Sequence, residues 1–236
     1  MTTSPIRDLR ADYRRRGVPE HYSGWLHFAF TSFFALAGIG CCLFALKGVT
    51  GWELLTVPLT FVYANLVEYI GHRGPMHHFQ RPLATIFEKH TNIHHRLFPQ
   101  DAFAYEDPRD FHAVLLSPVV ILLYFGLFAV PLGAVLFYVF SPNVGYLFVA
   151  TALGYFLNYE WLHFCYHSPE TSWVCRIPLM GRLRHLHLAH HDPAEMTRHN
   201  FNITYPLCDW LFGTLLAGKP PPSDTAPQQP AGSIPP

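Results

Sequence analysis

The charged positions divide the chain into long uncharged stretches separated by short polar segments. Asp, Glu, Lys and Arg are all absent from three stretches: His21 to Leu46, Leu54 to Val67 and Phe111 to Tyr159. The hydrocarbon core of a bilayer is about 30 Å thick and requires roughly 20 mostly apolar residues per helix. The first two stretches therefore predict one transmembrane helix each, and the last, which is the longest, predicts two.

Glycine and proline set the limits of these four predicted helices. Gly48 and Gly51 indicate a tight turn after the first helix, whereas Gly71 and Pro75 interrupt the second, and Pro131 kinks the third. The predicted helices run from Trp25 to Leu46, from Trp52 to Ile70, from Phe111 to a turn at Ser141–Gly145, and from Val144 to Leu162.

The distribution of basic residues predicts the orientation of these helices. Of the 16 Lys and Arg residues, all but Lys47 lie before the first helix, in Gly71–Asp110 or in His163–Lys219. By the positive-inside rule, both termini and the middle segment face the cytosol. An extra crossing at Leu132–Phe140 is rejected because so short a segment cannot span, and an odd number of crossings would separate the histidine-rich segments.

This topology predicts three parts of the chain. Residues 1–24 form a cytosolic polar arm, residues 25–216 form a membrane-embedded domain, and residues 217–236, which are rich in proline, form a disordered tail. The fold class is therefore all-α, with four transmembrane helices beneath a cytosolic, histidine-rich helical cap. The early polar residues do not resemble a cleavable signal peptide.

Composition excludes several classes of protein. Hydrophobic residues make up 50% of the chain and charged residues only 14%, which is typical of a membrane protein. The formal net charge is zero, so no nucleic acid partner is indicated. The 5 cysteines have no paired spacing and are interpreted as free thiols on a chain that faces a reducing compartment.

Histidine carries the candidate chemistry. The chain has 16 histidines, and ten of them fall into four regularly spaced boxes that follow the predicted membrane helices. Spacings of three and four residues place imidazoles on one face of a helix, where they can bind one ion together. Ten imidazoles exceed the coordination number of a single metal, so two ions are predicted. The boxed residues are His72, His77, His90, His94, His95, His163, His167, His187, His190 and His191.

The identity of the metal follows from its ligands and its surroundings. Imidazole suits zinc, copper, iron and nickel. Structural zinc sites are usually rich in cysteine, and none of the cysteines lies in a box. Calcium and magnesium prefer oxygen ligands. Two iron ions (Fe2+/Fe3+) that activate O2 beside a membrane are therefore the leading interpretation.

Carboxylates near the boxes are expected to orient the ligating histidines. Glu68 and Glu160 lie at the ends of membrane helices close to His72 and His163, and Asp192 adjoins His191. The alternative is that both glutamates simply extend to the membrane interface.

The six histidines outside the boxes are interpreted more conservatively. A single histidine in an apolar protein is more often a hydrogen-bonded structural residue than a metal ligand, and His21, His27, His112 and His199 are read in this way. His78 and His185 adjoin boxes without matching their spacing, so their roles stay open.

The same segments resemble a known family. The histidine boxes, the run at residues 68–73 (EYIGHR), the pair Asn200-Phe201 and the run at residues 209–214 (DWLFGT) are similar to the fatty acid hydroxylase superfamily, which includes acyl 2-hydroxylases, sterol desaturases and sterol C-4 methyl oxidases. The resemblance covers about residues 60–216. It implies a four-helix membrane anchor under a cytosolic cap, two metals held by the histidines, and O2-dependent hydroxylation or desaturation.

Two departures from the family pattern bear on substrate and partners. The second box is H-x3-H-H rather than the H-x2-H-H usual in acyl 2-hydroxylases, and Asn202 stands where glycine is common. No His-Pro-Gly-Gly motif of a fused cytochrome b5-like domain is present. Electrons are therefore expected from a separate donor, either a cytochrome b5-like protein or a ferredoxin with its reductase.

The sequence thus predicts an O2-dependent oxidoreductase that hydroxylates or desaturates a membrane lipid, an acyl chain or a sterol, in lipid biosynthesis. A histidine-rich metal transporter or metal-binding protein is the alternative. Transport sites tend to lie near the membrane midplane on broken helices, whereas these boxes follow the helix ends. A zinc hydrolase is less favoured because the chain has no H-E-x-x-H motif.

Overall fold

Helices account for every regular element in residues 5–216, the part of the chain that the computed structural model describes. The predicted disordered tail at residues 217–236 lies outside the described residues. The α-helices are α1 (Pro5–Arg16), α2 (Gly24–Ala45), α3 (Thr56–Gly71), α4 (Ala84–Phe87), α5 (His95–Leu97), α6 (Phe111–Val114), α7 (Pro118–Tyr124), α8 (Val130–Val139), α9 (Pro142–Tyr166), α10 (Met180–His190) and α11 (Leu207–Leu211).

Shorter helical turns of other types connect or extend these helices. Three π-helical turns lie directly against α-helices, so that α3 continues into the first and α7 and α8 are joined by the last. The π turns are His72–Met76, Glu88–His94 and Phe125–Ala129. The 3-10 turns are Glu53–Leu55, Arg81–Leu83, Gln100–Ala102, Pro108–Asp110 and Trp173–Arg176.

Within residues 5–216, three helical segments are long and apolar enough to cross a membrane: Gly24–Ala45, Glu53–Met76 and Pro108–Val139. The fourth predicted span falls within α9, whose 25 residues extend about 37 Å. Most α9 side chains are buried inside the protein, and its composition is less apolar than that of the other three segments. The crossing by α9 therefore stays a prediction.

The end of the second span differs from the prediction. Gly71 and Pro75 do not stop the helix, which continues to Met76. A proline removes one N–H from the helical ladder and crowds the preceding turn. The chain accommodates Pro75 by widening this turn to the π form instead of ending the helix.

The helix α9 forms the centre of the bundle, and α2, α3 and α8 pack around it. On α2 the inward face carries His27, Thr31 and Ala35, whereas large apolar side chains such as Phe33 and Phe44 are exposed. A water-soluble protein seldom exposes a continuous apolar surface of this kind. Small or polar residues inside and large apolar residues outside are typical of helices that face lipid.

A polar cluster joins the two turns at the end of the bundle remote from the histidines. Glu53 is buried, and its carboxylate accepts hydrogen bonds from the Ser141 hydroxyl (2.5 Å), the Asn143 amide (3.1 Å) and the Thr50 backbone N–H (2.7 Å). The Lys47 N–H donates to the Asn143 side chain. The histidine-bearing ends of α3 and α9 consequently lie together at the opposite end.

The N-terminal arm contains a helix, α1, that is anchored by one buried cation. The Arg10 side chain is only 1% exposed. It donates hydrogen bonds to the carbonyls of Leu97 (2.8 Å), Ala104 (3.0 Å) and Ala102. These carbonyls lie on the segment that follows the second histidine box, so α1 fixes the backbone beside the candidate site.

Replacing Arg10 by methionine should destabilise the protein strongly. The variant keeps an unbranched apolar side chain but leaves three inward carbonyls without their charged donor, for an expected loss of about 3 kcal/mol in the free energy of unfolding. Arg15→Met is the matched control, because Arg15 is exposed on the same helix and forms a surface ion pair with Asp12. Chemical denaturation in detergent should show near-wild-type stability for Arg15→Met; equal stability of the two variants would contradict this account.

Candidate metal centre

All ten boxed histidines are buried, and their rings meet between the ends of α3 and α9 and the helices that follow. Nine of them form two sets in which one nitrogen from each ring lies within 4.8 Å of all the others. Group A contains His72, His77, His90, His95 and His190, and group B contains His94, His163, His167 and His187.

His191, the tenth boxed histidine, lies between the two groups. Its Nε2 atom is 3.2 Å from Nε2 of His94 and 3.2 Å from Nε2 of His187, both of group B. Its ring also stacks on that of His95 in group A, with 4.2 Å between ring centroids. Group B together with His191 and group A therefore form one continuous cluster of imidazoles.

The two groups combine histidines from both halves of the chain. Group A takes four histidines from the first half and His190 from the second, whereas group B takes His94 from the first half and three from the second. The Nε2 atom of His190 lies 2.9 Å from that of His77, and Nε2 of His94 lies 3.2 Å from that of His163. The two halves thus complete each other's groups.

Two π turns explain the five-residue spacing in group A. His72 begins one π turn and His77 follows it, and their Nε2 atoms are 3.1 Å apart. His90 lies in the second π turn and His95 follows it, with 3.2 Å between Nε2 atoms. In an α-helix, residues five apart point in different directions, since the repeat is 3.6 residues. The wider π turn, which is often found at functional sites, brings both pairs together.

Backbone carbonyls fix the orientation of five of these ten rings through Nδ1. In five histidines Nδ1 lies 2.5–2.9 Å from a carbonyl oxygen, which can only accept, so these Nδ1 atoms carry the proton and donate. The pairs are His72 with Phe201, His94 with Ala113, His167 with Phe103, His190 with His199, and His191 with Phe98.

This arrangement leaves lone pairs facing each other at the centre of the cluster. A neutral imidazole has one N–H, so a ring that donates through Nδ1 presents a lone pair at Nε2. His94 and His191 both donate through Nδ1, yet their Nε2 atoms lie 3.2 Å apart. No hydrogen bond can join two lone pairs, which repel unless a cation lies between them.

The distances fit a metal ion as that cation. Imidazole nitrogens bind first-row metals at about 2.1 Å, so two neighbouring ligands at right angles lie about 3.0 Å apart. Neighbouring Nε2 atoms in group A are 2.8–3.2 Å apart, and those in group B are 3.1–3.2 Å apart. An all-nitrogen donor set suits iron and other transition metals rather than calcium or magnesium.

Burial also keeps the imidazoles unprotonated, as metal binding requires. Loss of hydration is the main cause that lowers the pKa of these rings, and mutual repulsion between neighbouring histidines adds to it. For His94 the pKa falls from 6.5 to about 4. The pKa of each of the following is lowered far below the ordinary value: His90, His95, His167, His187, His190 and His191.

The carboxylates expected to orient the imidazoles do not contact them directly. Glu160 is buried beside the site, and its oxygens accept from the backbone N–H of Leu116 at 3.2 and 3.3 Å. Asp192 accepts from the Ala194 N–H in a local turn. Glu68 binds the segment at residues 202–204 and Tyr155. At His72 and His191, the histidines nearest in sequence to Glu68 and Asp192, backbone carbonyls accept from Nδ1 instead.

Histidines outside the boxes lie outside both groups. His27 bonds Tyr22 and the Leu116 carbonyl, and His112 bonds Tyr13, as expected for structural residues. The His199 side chain pairs with Glu195, and the His199 backbone carbonyl accepts a hydrogen bond from Nδ1 of His190. His78 is exposed and bonds the Arg73 carbonyl.

Sequence reasoning missed the groups that hold the rings in place. The carbonyl acceptors are backbone atoms and have no sequence signal of their own. Asp209 is fully buried and binds the backbone of Phe201 and Asn202, and its only signal was its place in the run at residues 209–214. Asn202 is also buried, and its side chain joins α3 to the start of α11.

Fold and site together define a membrane protein with a buried, all-histidine site built to bind metal. Residues 57–214 match the model of the fatty acid hydroxylase family, so the chain belongs to that family and is an oxidoreductase of the lipid hydroxylase type. Comparison with curated protein sequences gave no match.

A solved structure is similar in fold. It is described as full-length Scs7p with only the hydroxylase domain visible, and it matches with a TM-score of 0.56 at 21% sequence identity. The match covers 82% of this chain and 67% of that chain. At this level of identity the likeness concerns the fold.

The metal-free protein should lose stability steeply in mild acid. The buried imidazoles have pKa values below 6.5 in the folded state, whereas in the unfolded chain they return to about 6.5. The stability that the neutral imidazoles allow is therefore fully present above pH 6.5. It is lost as the pH falls below 6.5, because only the unfolded chain then binds protons. Each such histidine should lower the free energy of unfolding by about 1.4 kcal/mol for every pH unit below 6.5.

Thermal unfolding of metal-free protein in detergent between pH 8 and pH 5 measures this effect. The unfolding midpoint should change little from pH 8 to pH 7 and fall progressively below pH 6.5. A midpoint that stays constant down to pH 5 would mean that the rings are accessible to protons in the folded protein.

Proposed function

We propose that this protein is a membrane-bound non-haem di-iron oxygenase that hydroxylates a C–H bond of a lipid, using O2 and electrons from a separate donor. The observation that carries the proposal is the convergence of Nε2 lone pairs in groups A and B at the ends of membrane helices. Two iron ions held there would activate O2 and oxidise an otherwise unreactive C–H bond.

The protein's own contribution would be to hold the ligands and to exclude water. Group A supplies five nitrogens to one ion, and group B with His191 supplies five to the other, which leaves positions open for oxygen at each. Carbonyl acceptors hold five of the rings so that the basic nitrogen of each faces inward. The buried walls, which include Phe98, Phe103 and Phe201, keep a reactive site away from bulk water.

We infer that the substrate is an extended acyl chain rather than a sterol. An apolar cavity of about 130 Å³ opens between α3, the third membrane segment and α9, and is lined by residues including Val67, Tyr124 and Phe148. Val67 lies on α3, the helix whose π-helical continuation begins at His72 of group A. Sites for drug-sized ligands are about 300–1,000 Å³, so a narrow chain suits this cavity better than a ring system.

Hydroxylation is preferred over desaturation because the family match is to the hydroxylases. The electron donor would approach from the cytosolic side, where the positive-inside rule predicts the basic residues and the histidines to lie. A cytochrome b5-like protein or a ferredoxin with its reductase can supply the electrons.

Metal content and turnover test the proposal together. Protein loaded with ferrous iron under anaerobic conditions should hold about two ions per chain, and it should consume O2 and form a hydroxylated product when given acyl lipid and reductant. His94→Ala should abolish turnover and lower metal content, because alanine offers no donor atom. His21→Ala is the control, since His21 is exposed and outside both groups.

Mass spectrometry of the lipid distinguishes the outcomes of this experiment. An alcohol supports hydroxylation, and an alkene would replace hydroxylation by desaturation. A stoichiometry of one ion, or metal binding without any O2 consumption, would overturn the proposed function and favour metal binding or transport.

Topology provides an independent test. Single cysteines placed at exposed Lys89 and Arg182 in a cysteine-free background should react with an impermeant reagent from the same, cytosolic side of the membrane. A cysteine at exposed Lys47 should react only from the opposite side. Labelling of positions 89 and 182 from opposite sides would mean that the third membrane segment and α9 do not both cross the membrane.

A further inference from the structure

The segment from His199 to Thr204 supplies two of the carbonyls that orient group A. The His199 carbonyl accepts from Nδ1 of His190 at 2.8 Å, and the Phe201 carbonyl accepts from Nδ1 of His72 at 2.5 Å. This segment has no regular secondary structure, so no helical ladder fixes its peptide groups. Other contacts must set the direction of these two carbonyls.

Two carboxylates, that of buried Asp209 and that of partly buried Glu68, bind four consecutive N–H groups of this segment. Asp209 accepts from the N–H of Phe201 (2.9 Å) and of Asn202 (2.7 Å). Glu68 accepts from the N–H of Ile203 (2.5 Å) and of Thr204 (3.0 Å). Each acid thus binds two neighbouring peptide groups, and the Phe201 carbonyl belongs to the peptide whose N–H is donated by Asn202 to Asp209.

We propose that Asp209 is a positioning residue for the metal of group A. By binding the Asn202 N–H it fixes the peptide plane that carries the Phe201 carbonyl, and that carbonyl sets the ring of His72. Glu68 fixes the next two peptide groups of the segment in the same way, by accepting from the N–H groups of Ile203 and Thr204. The proposal rests on groups A and B binding metal, as in the proposed function, but it does not depend on which reaction follows.

The contacts of Asp209 require a carboxylate. One oxygen accepts from Phe201 N–H and the Thr214 hydroxyl (2.7 Å), and the other accepts from Asn202 N–H. All three partners are donors. An asparagine side chain has nearly the same shape but offers one acceptor oxygen, so its NH2 group would face at least one donor. Asp209→Asn should therefore release the segment without leaving a cavity.

The structure confines this effect to one of the two groups. The carbonyls that orient group B and His191 belong to Ala113, Phe103 and Phe98, which lie on other segments. Loss of Asp209 should leave those carbonyls in place. A general loss of stability, in contrast, would weaken both groups together.

Equilibrium dialysis of the purified full-length chain against ferrous iron, under anaerobic conditions, tests the proposal. Wild type should bind two ions tightly. Asp209→Asn should bind one ion with wild-type affinity and the other about 10–100-fold more weakly, the usual range for loss of a group that orients a ligand. Equal weakening of both ions, or no weakening of either, would overturn the proposal.

Two histidine-deficient backgrounds identify the affected ion. With group B disabled by His163→Ala and His187→Ala, Asp209→Asn should weaken the remaining ion by the same factor. With group A disabled by His72→Ala and His190→Ala, it should have no effect. The reverse pattern would assign Asp209 to group B and refute the inference.

Glu53→Gln is the matched control for a buried carboxylate. Glu53 also accepts several hydrogen bonds, but it lies 19 residues before His72, about 28 Å away along the helix. It should lower thermal stability and leave both affinities unchanged. A selective loss of one ion in Glu53→Gln would show that destabilisation far from the site is sufficient to weaken one metal position, and would remove the support for Asp209 as a positioning residue.

Thr214→Val keeps the test available if Asp209→Asn does not fold. This variant removes one donor to the Asp209 carboxylate and leaves both backbone contacts. The group A ion should bind about two- to tenfold more weakly, as expected for one hydrogen bond, with no change for group B. Unchanged affinity for both ions would count against Asp209.

If wild type binds no iron, or one ion, the proposed function itself fails at that first measurement. Failure of the further inference is different, because it requires a wild type with two ions and a variant that does not discriminate between them.

Discussion

The hydrogen bond from a histidine Nδ1 to a backbone carbonyl is the interaction on which the site depends. In five of the ten boxed histidines it fixes the tautomer of the ring, and therefore decides which nitrogen presents its lone pair to the centre. Because a carbonyl belongs to the main chain, the position of the ring is then set by the path of the backbone. The direction of His72, for example, depends on how the peptide at Phe201 is held.

This dependence gives three charged side chains outside the site, those of Arg10, Asp209 and Glu68, a common role. Arg10 binds three carbonyls on the segment that carries Phe98 and Phe103, whose own carbonyls orient His191 and His167. Asp209 and Glu68 fix the segment near Phe201 in a corresponding way. Because they are negatively charged, they bind backbone N–H groups instead of carbonyls. These charged side chains therefore fix loop backbone, and the carbonyls of that backbone orient the imidazoles. Arg10, Asp209 and Glu68 act on the imidazoles only through the main chain.

The sequence was sufficient to predict the apolar helices, the ten clustered histidines and the family, because hydrophobic stretches and residue spacing are local signals. It was not sufficient for the π turns at His72–Met76 and Glu88–His94, since a helical pattern assumes 3.6 residues per turn. The carboxylates were expected to orient the imidazoles, whereas backbone carbonyls accept from Nδ1 of five of the rings. Main-chain acceptors depend on the tertiary path of the chain, which residue spacing does not encode.

The exchange of His94 and His190 between the halves has a consequence for assembly. Each half of the chain carries a pair of predicted spans and two histidine boxes, yet neither half contains a complete group. Group A requires α10 to dock beside the end of α3, and group B requires the second box to dock beside α9. Both metal positions therefore form only when the two halves have packed together, and the repulsion between facing lone pairs opposes that packing until a cation is bound. Metal binding and the association of the halves are consequently one coupled equilibrium.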